Sequence, residues 1–273
     1  MKKILALSLI ALFILTGTSF GDSKVKGAVI NQSTVKDAAN ISVGEGNTAN
    51  MGSVKIKDSK VKGAVINQSN VKNAANIAVG KGNTANMGSV NVQDSKVKGA
   101  VINKSNVKNA ANIAAGRDNT ANMGSVNVQG SKVKGVVVNQ SNVKNAANIA
   151  VGEGNTANMG SVNVKDSKVK GAVINKSNVK NAANIAAGRD NTANMGSVNL
   201  QNSKVKGVIV NDSNVKNAAN IAVGEGNTAN MGSVNVKDSQ VKGAVINKSN
   251  VENAANIAGG KNNTANMGSV DIE

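Results

Sequence analysis

A tandem repeat of 36 residues accounts for the whole chain from Ser23 onward. The copy at 59–94 reads SKVKGAVINQSNVKNAANIAVGKGNTANMGSVNVQD. A fixed period of this length is typical of solenoids, in which each unit buries its apolar face against its neighbours. Surface loops ordinarily tolerate insertions, so the strict spacing predicts that the turns stack as well. The copies begin, without insertion or deletion, at Ser23, Ser59, Ser95, Ser131, Ser167, Ser203 and Ser239. The position of a residue within its copy is called its place, with this serine as place 1.

The composition limits the kind of core that the repeats can build. The chain has no Cys, His, Trp, Tyr or Pro, and both Phe residues precede the first copy. The apolar interior must therefore consist almost entirely of Val, Ile, Ala and Met, which fill only a thin layer. This favours a narrow solenoid over a globular domain.

The segment before the repeats has the features of a secretory signal peptide at 1–21. Two lysines precede a largely apolar run at 4–15, and the small residues Ser19 and Gly21 allow cleavage before the first copy. The alternative is a membrane anchor, but the run is shorter than the roughly 20 apolar residues that span a bilayer. We expect 22–273 to be secreted, to the extracellular space or the cell surface.

The net charge is strongly positive. It is +17 for the chain, and loss of Lys2 and Lys3 with the signal peptide leaves +15. For an exported protein, this charge predicts anionic extracellular partners. Candidates are acidic polysaccharide, lipopolysaccharide and extracellular DNA.

Alternating residues within one copy predict strands. From Val61 to Val79, apolar or small residues occupy every second position, and Val, Ile, Asn and Gly are weak helix formers. A turn follows at Gly80, Gly82 and Asn83, because Gly and Asn accept positive φ readily. A second extended run, 84–92, completes the copy.

This phase assigns the inward-facing side chains. The place-19 isoleucine does not vary, and we expect it to point into the core in every copy. The residues predicted to stack in the core are Val61, Val65, Val71, Ile77, Ile149 and Ile185.

A copy of 36 residues could form one large coil or two coils of about half that length. Place 4 is always Lys, and one coil per copy would stack these ammonium groups about 4.8 Å apart. Two coils would double the spacing to about 9.6 Å, near the Debye length at physiological salt. We therefore expect an all-β solenoid with two coils per repeat. Its predicted basic stripe is formed by Lys62, Lys98, Lys134, Lys170, Lys206 and Lys242.

Asparagine recurs at four places in every copy. At places 18 and 28 it lies inside apolar runs, where stacked amides can form hydrogen-bonded ladders along the solenoid axis. At places 9 and 25 we expect it to favour bends instead. The predicted ladder residues are Asn76, Asn86, Asn112 and Asn122.

The sequence offers no catalytic constellation. His and Cys, the commonest general base and the thiol nucleophile, are absent. Carboxylates occur singly, without the clustered Gly and Asp of a calcium roll. We expect no enzymatic activity and no metal or cofactor. Thr recurs once per copy, whereas ice-binding solenoids typically present paired threonines.

The segment Gly80-Lys81-Gly82-Asn83-Thr84-Ala85 is similar to the G-x-G-N-x-A core of curlin repeats. The exported, Asn- and Gly-rich repeats without Pro or Cys resemble the curli and Fap-type bacterial functional amyloids. The resemblance implies a stacked β-fold, secretion as an unfolded monomer and assembly into fibres of the biofilm matrix.

The terminal copies add an expectation about assembly. Solenoids normally need polar terminal repeats to prevent end-to-end association, and both end copies here keep the ordinary repeat pattern. Residues 23–58 carry a net charge of +2, from five Lys against three acids. Residues 239–273 carry none, with Gln240, Glu252 and Asp271 replacing Lys or Asn. We expect self-association into head-to-tail fibres.

These observations lead to one expected function and one alternative. The expected function is a secreted structural subunit of an extracellular fibre or biofilm matrix, with an adhesive role. The alternative is a monomeric β-solenoid that binds anionic glycan or ice.

Overall fold

The computed structural model describes residues 24–272 except 47, 83, 119, 155, 191, 226–227 and 263. The described residues form strands, turns and bends and contain no helix. The predicted signal peptide lies outside the described residues. The strands stack into a β-solenoid, which confirms the predicted fold class.

Four parallel sheets run the length of the molecule. We name them the lysine, long, threonine and valine sheets, in the order in which the chain visits them. The lysine sheet contains β1 (Lys24–Val25), β5 (Lys60–Val61), β9 (Lys96–Val97), β14 (Lys132–Lys134), β19 (Lys168–Lys170), β24 (Lys204–Lys206) and β29 (Gln240–Lys242). The long sheet contains β2 (Val29–Glu45), β6 (Val65–Lys81), β10 (Val101–Asn103), β11 (Asn106–Arg117), β15 (Val137–Asn139), β16 (Asn142–Glu153), β20 (Val173–Asn175), β21 (Asn178–Arg189), β25 (Ile209–Asn211), β26 (Asn214–Glu225), β30 (Val245–Asn247), β31 (Asn250–Glu252) and β32 (Ala255–Lys261).

The two shorter sheets close each coil. The threonine sheet contains β3 (Thr48–Met51), β7 (Thr84–Met87), β12 (Thr120–Met123), β17 (Thr156–Met159), β22 (Thr192–Met195), β27 (Thr228–Met231) and β33 (Thr264–Met267). The valine sheet contains β4 (Val54–Lys57), β8 (Val90–Gln93), β13 (Val126–Gln129), β18 (Val162–Lys165), β23 (Val198–Gln201), β28 (Val234–Lys237) and β34 (Val270–Ile272).

Each copy forms one coil, so the expectation of two coils per repeat is wrong. Lys24 pairs with Lys60, and Thr48 pairs with Thr84, each 36 residues further along the chain. The two halves of a copy differ in sequence. Only the full period places valine on valine, amide on amide and methionine on methionine. The lysine repulsion that argued for two coils is weakened because the ammonium groups are exposed to water, which screens them.

The core is built from three stacked clusters of small side chains. Val61, Val65 and Val71 are fully buried, with their counterparts in the other interior coils. Valines of the lysine, long and valine sheets form one cluster, and a second joins Met87 to Val71. Alanines of the long and threonine sheets, such as Ala78, form the third.

The inward-facing phase of the long strand changes at place 15. Asn73 has φ 50°, in the left-handed region, and the side chains buried before it are at odd numbers whereas those after it are at even numbers. Val71 is therefore buried on one side of the slip, and Asn76 and Ala78 on the other. Asn is among the residues that tolerate this backbone conformation best.

Because of this slip, the place-19 isoleucines face outward. The prediction that they lie in the core is wrong for Ile77, Ile149 and Ile185, which are only half-buried. Their inward neighbours are the asparagine at place 18 and the alanine at place 20. A strictly alternating pattern extended through Asn73 assigns this half of the strand to the opposite face.

The corners of the coil use left-handed residues. Gly82 has φ 67° in the corner between the long and threonine sheets, and Asp94 has φ 46° in the corner that leads to the next coil. Gly80 belongs to the end of β6, so the turn is shorter than predicted. Asn83 lies outside the described residues.

Candidate functional site

The buried amides form ladders along the solenoid axis. Asn76 Nδ2 donates to Asn112 Oδ1 at 2.9 Å, and also to the carbonyl oxygens of Ala49 and Asn86 at 3.0 and 3.1 Å. At place 28, Asn122 Nδ2 donates to Asn86 Oδ1 at 2.9 Å. The residues predicted to form ladders therefore do so, and the place-18 amides also tie the long sheet to the threonine sheet. Their role is structural.

A third ladder occurs at place 9, where a bend was expected. Asn67 Nδ2 donates to Asn103 Oδ1 at 2.9 Å, and both residues are fully buried. The bend prediction is wrong because Asn67 lies within β6, two residues before the buried Ser69. Place 9 shares the inward phase of Val65, and this signal was present in the sequence.

The lysine sheet presents the most concentrated charge of the molecule. Its place-2 and place-4 lysines form two neighbouring columns, and register pairs such as Lys132 with Lys168 and Lys134 with Lys170 put like charges on adjacent strands. Adjacent strands of a sheet are about 4.8 Å apart. The predicted basic stripe is the place-4 column, and it is exposed throughout: Lys62, Lys98, Lys134, Lys170, Lys206 and Lys242.

Proximity within the columns affects protonation. The neighbouring ammonium group of Lys60, followed by that of Lys132, lowers the pKa of Lys96 below its ordinary value. Lys132 has the largest such effect on the pKa of Lys168. Like charges disfavour the charged form. Neutralising the columns with a bound anion would relieve this repulsion.

A groove of about 780 Å³ runs beside the place-2 lysines. Its lining repeats from coil to coil as an acidic or small residue, a serine and a lysine, for example Asp94, Ser95 and Lys96. The Ser95 hydroxyl donates to the carbonyl oxygen of Gln93 at 2.6 Å and accepts from the Ser59 amide at 3.0 Å. These hydroxyls hold the corner together. The groove is a periodic charged channel that suits an extended ligand.

A second groove, of about 250 Å³, lies between the threonine and valine sheets. It is lined by the single threonine column and by asparagines of places 28 and 33, such as Asn86 and Asn91. Asn91 Nδ2 donates to Asn86 Oδ1 at 2.7 Å, so the amides bond across the groove as well as along it. In the interior coils these threonines are half-buried.

Charges of both signs stack at place 23. Glu153 lies between Arg117 and Arg189, at 3.5 and 3.8 Å from their guanidinium nitrogens. All three side chains are more than half exposed, and exposed pairs of this kind contribute about 0–1 kcal/mol each. The place-23 column chiefly balances charge along its edge of the long sheet.

The outward phase of the long sheet exposes an apolar strip that the sequence reading assigned to the core. The strip consists of the place-19 isoleucines and the valines or alanines of place 21. Within the interior coils, Val151 is 43% exposed and Val223 is 45% exposed. The sequence signal for this change of phase is the Asn or Asp at place 15, a residue type that tolerates the left-handed backbone.

Among the described residues, no group of three or more Asp and Glu side chains could hold a metal ion. Within the same ranges, no helix is long and apolar enough to cross a membrane. Comparison with protein-family models, curated proteins and solved structures finds no match to this chain. Function must therefore be inferred from the geometry of the solenoid.

Proposed function

We propose that the protein is a structural subunit of an extracellular fibre or matrix, built by end-to-end stacking of solenoids. The observation that carries this proposal is the exposed core of the last coil. Met267 is 47% exposed and Ile272 is 64% exposed, whereas Met231 and Val236, which occupy the same places one coil earlier, are buried. Stacking of another coil would cover these side chains.

The backbone supports the same assembly. β2 pairs only with β6, and β34 pairs only with β28, among the strands that the structure describes. An unpaired parallel edge is a template for another strand. Because each coil accepts the next in one register, a second molecule could continue all four sheets at once.

The proposal includes secretion and an adhesive role. The signal-like segment at 1–21 supports secretion. The exposed lysine columns would bind the anionic polymers of a cell surface or matrix. The resemblance to curli and Fap-type repeats supports a place in biofilm fibres.

Filament growth from purified protein tests the proposal. Seven coils at about 4.8 Å give a stack of only about 34 Å, so filaments many times longer would require association between molecules. Negative-stain microscopy over several days should show such filaments. A sample that sediments throughout as a monomer would contradict the proposal.

A second candidate function is binding of an extended anionic polymer by a monomeric solenoid. It is favoured by the two parallel lysine columns and the groove of about 780 Å³ beside them. An acidic polysaccharide or single-stranded DNA could lie along the columns and neutralise several ammonium groups in succession. The single, half-buried threonine column gives less support to the ice-binding alternative.

Salt-dependent retention on an anionic matrix tests this candidate. Electrostatic binding should weaken steeply as salt rises. Replacing Lys96, Lys132 and Lys168 with Gln should weaken it further. Equal retention of this variant and the wild type would argue against the lysine sheet as the binding surface.

A further inference from the structure

At several places, the first and last described coils carry residues of opposite charge. At place 14 the first coil has Lys36 and the last has Glu252. At place 23 the first coil has Glu45 and the last has Lys261. In each case the residue of one end coil is opposite in charge to the residue of the other.

Place 33 gives the clearest pattern. Its column is a ladder of amides in the interior, as where Asn127 Nδ2 donates to Asn91 Oδ1 at 2.8 Å. The first coil instead has Lys55 and the last has Asp271. A charge thus enters this column only at its two ends. The interior members are Asn91, Asn127, Asn163, Asn199 and Asn235.

Neither terminal charge completes the ladder of its own chain. Lys55 Nζ donates to Thr48 Oγ1 at 3.0 Å, within its own coil. Asp271 Oδ2 accepts from Asn266 Nδ2 at 3.0 Å, also within its own coil. The buried Oδ1 of Asn235 next to Asp271 is left without a donor.

The direction of the ladder matches the chemistry of its ends. From Asn127 onward, each interior amide of the column donates to the coil before it. Lysine can only donate, and an ionised aspartate can only accept. The hydrogen bonds of the column point toward the first coil, where Lys55 supplies a donor. At the other end of the column, in the last coil, Asp271 supplies an acceptor.

We propose that the last coil of one molecule docks on the first coil of a second copy in the same 36-residue register. The contact continues the four sheets and pairs opposite charges in three columns. Across it, Asp271, Glu252 and Lys261 of one copy face Lys55, Lys36 and Glu45 of the next copy, respectively. This inference rests on the proposed fibre function and specifies its partner, register and polarity.

Contacts between the last two coils of one molecule show that two of these columns accommodate ion pairs. Lys216 Nζ lies 2.7 Å from Glu252 Oε2 at place 14. Lys261 Nζ lies 4.0 Å from Glu225 Oε1 at place 23. Stacking in the 36-residue register would give each terminal charge a partner at the corresponding position of the next molecule.

Charge reversal at place 33 tests the pairing. The variants Lys55→Asp and Asp271→Lys would each place like charges together and should slow filament elongation at low salt at least about tenfold. The double variant restores an opposite pair with reversed sign and should elongate within about threefold of the wild-type rate. Recovery in the double variant also excludes misfolding as the cause.

The matched control is Lys104→Asp, a substitution with the same change in net charge at an exposed position of an interior coil, outside the lysine sheet. It should elongate at nearly the wild-type rate. Equal slowing by Lys104→Asp and Lys55→Asp would show that net charge, rather than the end contact, governs growth. Elongation of both single variants at the wild-type rate would overturn the proposed pairing.

A disulfide reports the register directly, because the chain contains no Cys. Thr34 and Asn250 both occupy place 12, so Cys at both positions should join successive molecules at the Cα separation of about 4.4–6.8 Å that a disulfide needs. Oxidised filaments of Thr34→Cys/Asn250→Cys should give a covalent ladder on a denaturing gel. The control Thr34→Cys/Lys248→Cys is displaced by two residues and should give none.

The outcomes separate this inference from the proposed function. Wild-type filaments without a covalent ladder and without the charge-reversal effect would reject the register and pairing while leaving the fibre function. Wild-type protein that remains monomeric would reject both. A ladder from the displaced Cys pair alone would establish a different register and overturn this one.

Discussion

Asn112 Nδ2 lies 2.9 Å from the Oδ1 of Asn148, which occupies the same place one coil later. Both side chains are fully buried. Repetition of this hydrogen bond gives the thin core a polar spine. Its amides also bond to backbone carbonyls of the threonine sheet, so the spine joins coils to one another and one wall of the solenoid to the other.

Removing one amide from this spine should be strongly destabilising. Asn148 Nδ2 donates to the carbonyl oxygens of Ala121 and Asn158 and to Asn184 Oδ1. Asn148→Ala would leave these acceptors without this donor and create a small cavity. The free energy of unfolding should fall by about 2–4 kcal/mol, as measured by denaturant titration.

The control for that substitution is Asn142→Ala, on the outward phase of the same strand. Asn142 is partly buried, and its amide reaches Asn106 Oδ1 at a longer 3.3 Å. The expected loss is below about 1 kcal/mol. Similar losses for Asn142→Ala and Asn148→Ala would contradict the structural role assigned to the buried spine.

Two neighbouring substitutions test the phase of the long strand. Ala150 is fully buried, whereas Ile149 faces outward and is half-buried. Ala150→Asp would bury an unpaired carboxylate and should cost several kcal/mol or abolish folding. Ile149→Asp should leave the far-ultraviolet circular dichroism and the unfolding midpoint close to wild type. A larger loss of stability from Ile149→Asp than from Ala150→Asp would instead place Ile149 in the core, as simple alternation predicts.

The place-5 glycines are expected to be indispensable in the interior coils. A Cβ on Gly135 would overlap the carbonyl oxygen and carbon of Gly99 in the preceding coil. Gly135→Ala should therefore force adjacent coils apart and lower the thermal midpoint by several degrees, in the range of a destabilisation of about 1–3 kcal/mol.

Gly259 provides the matched control. A Cβ there meets only Val223 Cγ2, at 3.9 Å, and other copies have Val or Ala at the same place. Gly259→Ala should leave the midpoint unchanged or raise it slightly. An equal loss from both substitutions would point to a general intolerance of larger side chains rather than to a close approach at place 5.

The lysine columns predict that the free energy of unfolding rises toward alkaline pH. The folded-state pKa values of Lys96 and Lys168 are lowered, chiefly by neighbouring lysines. Over the interval between each lowered pKa and the ordinary lysine pKa, the unfolded chain binds more protons than the folded chain, so unfolding becomes less favourable as pH rises.

Thermal melts from pH 7 to the ordinary lysine pKa should show increasing midpoints. Lys96→Gln/Lys168→Gln should reduce this increase, and added salt at pH 7 should raise the wild-type midpoint by screening the repulsion. A midpoint that falls over this pH interval would contradict the prediction.

The period, the strand content and the glycine corner could be read from the sequence because they depend on local signals. Each copy repeats Gly, Asp or Asn where the backbone is left-handed, as at Gly82 and Asp94. Asn73 is also a residue type that favours the left-handed conformation. It lies, however, within a run of alternating apolar and polar residues, which predicts an uninterrupted strand. One left-handed residue there reversed the faces of the isoleucine and its neighbours.

The number of coils per copy depends on two opposing effects, the repulsion between lysines and the stacking of identical side chains, and local sequence signals do not show which is larger. Repulsion between place-4 lysines, such as Lys134 and Lys170, argued for a longer spacing. Stacking of identical residues, such as Met123 on Met159 and Asn112 on Asn148, is possible only with one coil per copy. The burial of many matched side chains outweighed a repulsion that solvent and salt reduce.

The constant separation of 36 residues between paired strands has a consequence for how the length of this protein can change. Removal or duplication of one whole interior copy leaves every remaining coil with the same kind of neighbour at the same distance. A chain with six or eight coils would keep the same core, ladders, corners and pair of end faces. The number of coils can therefore vary among descendants of the gene without any new contact having to evolve, whereas an insertion of a few residues within a coil would displace every column.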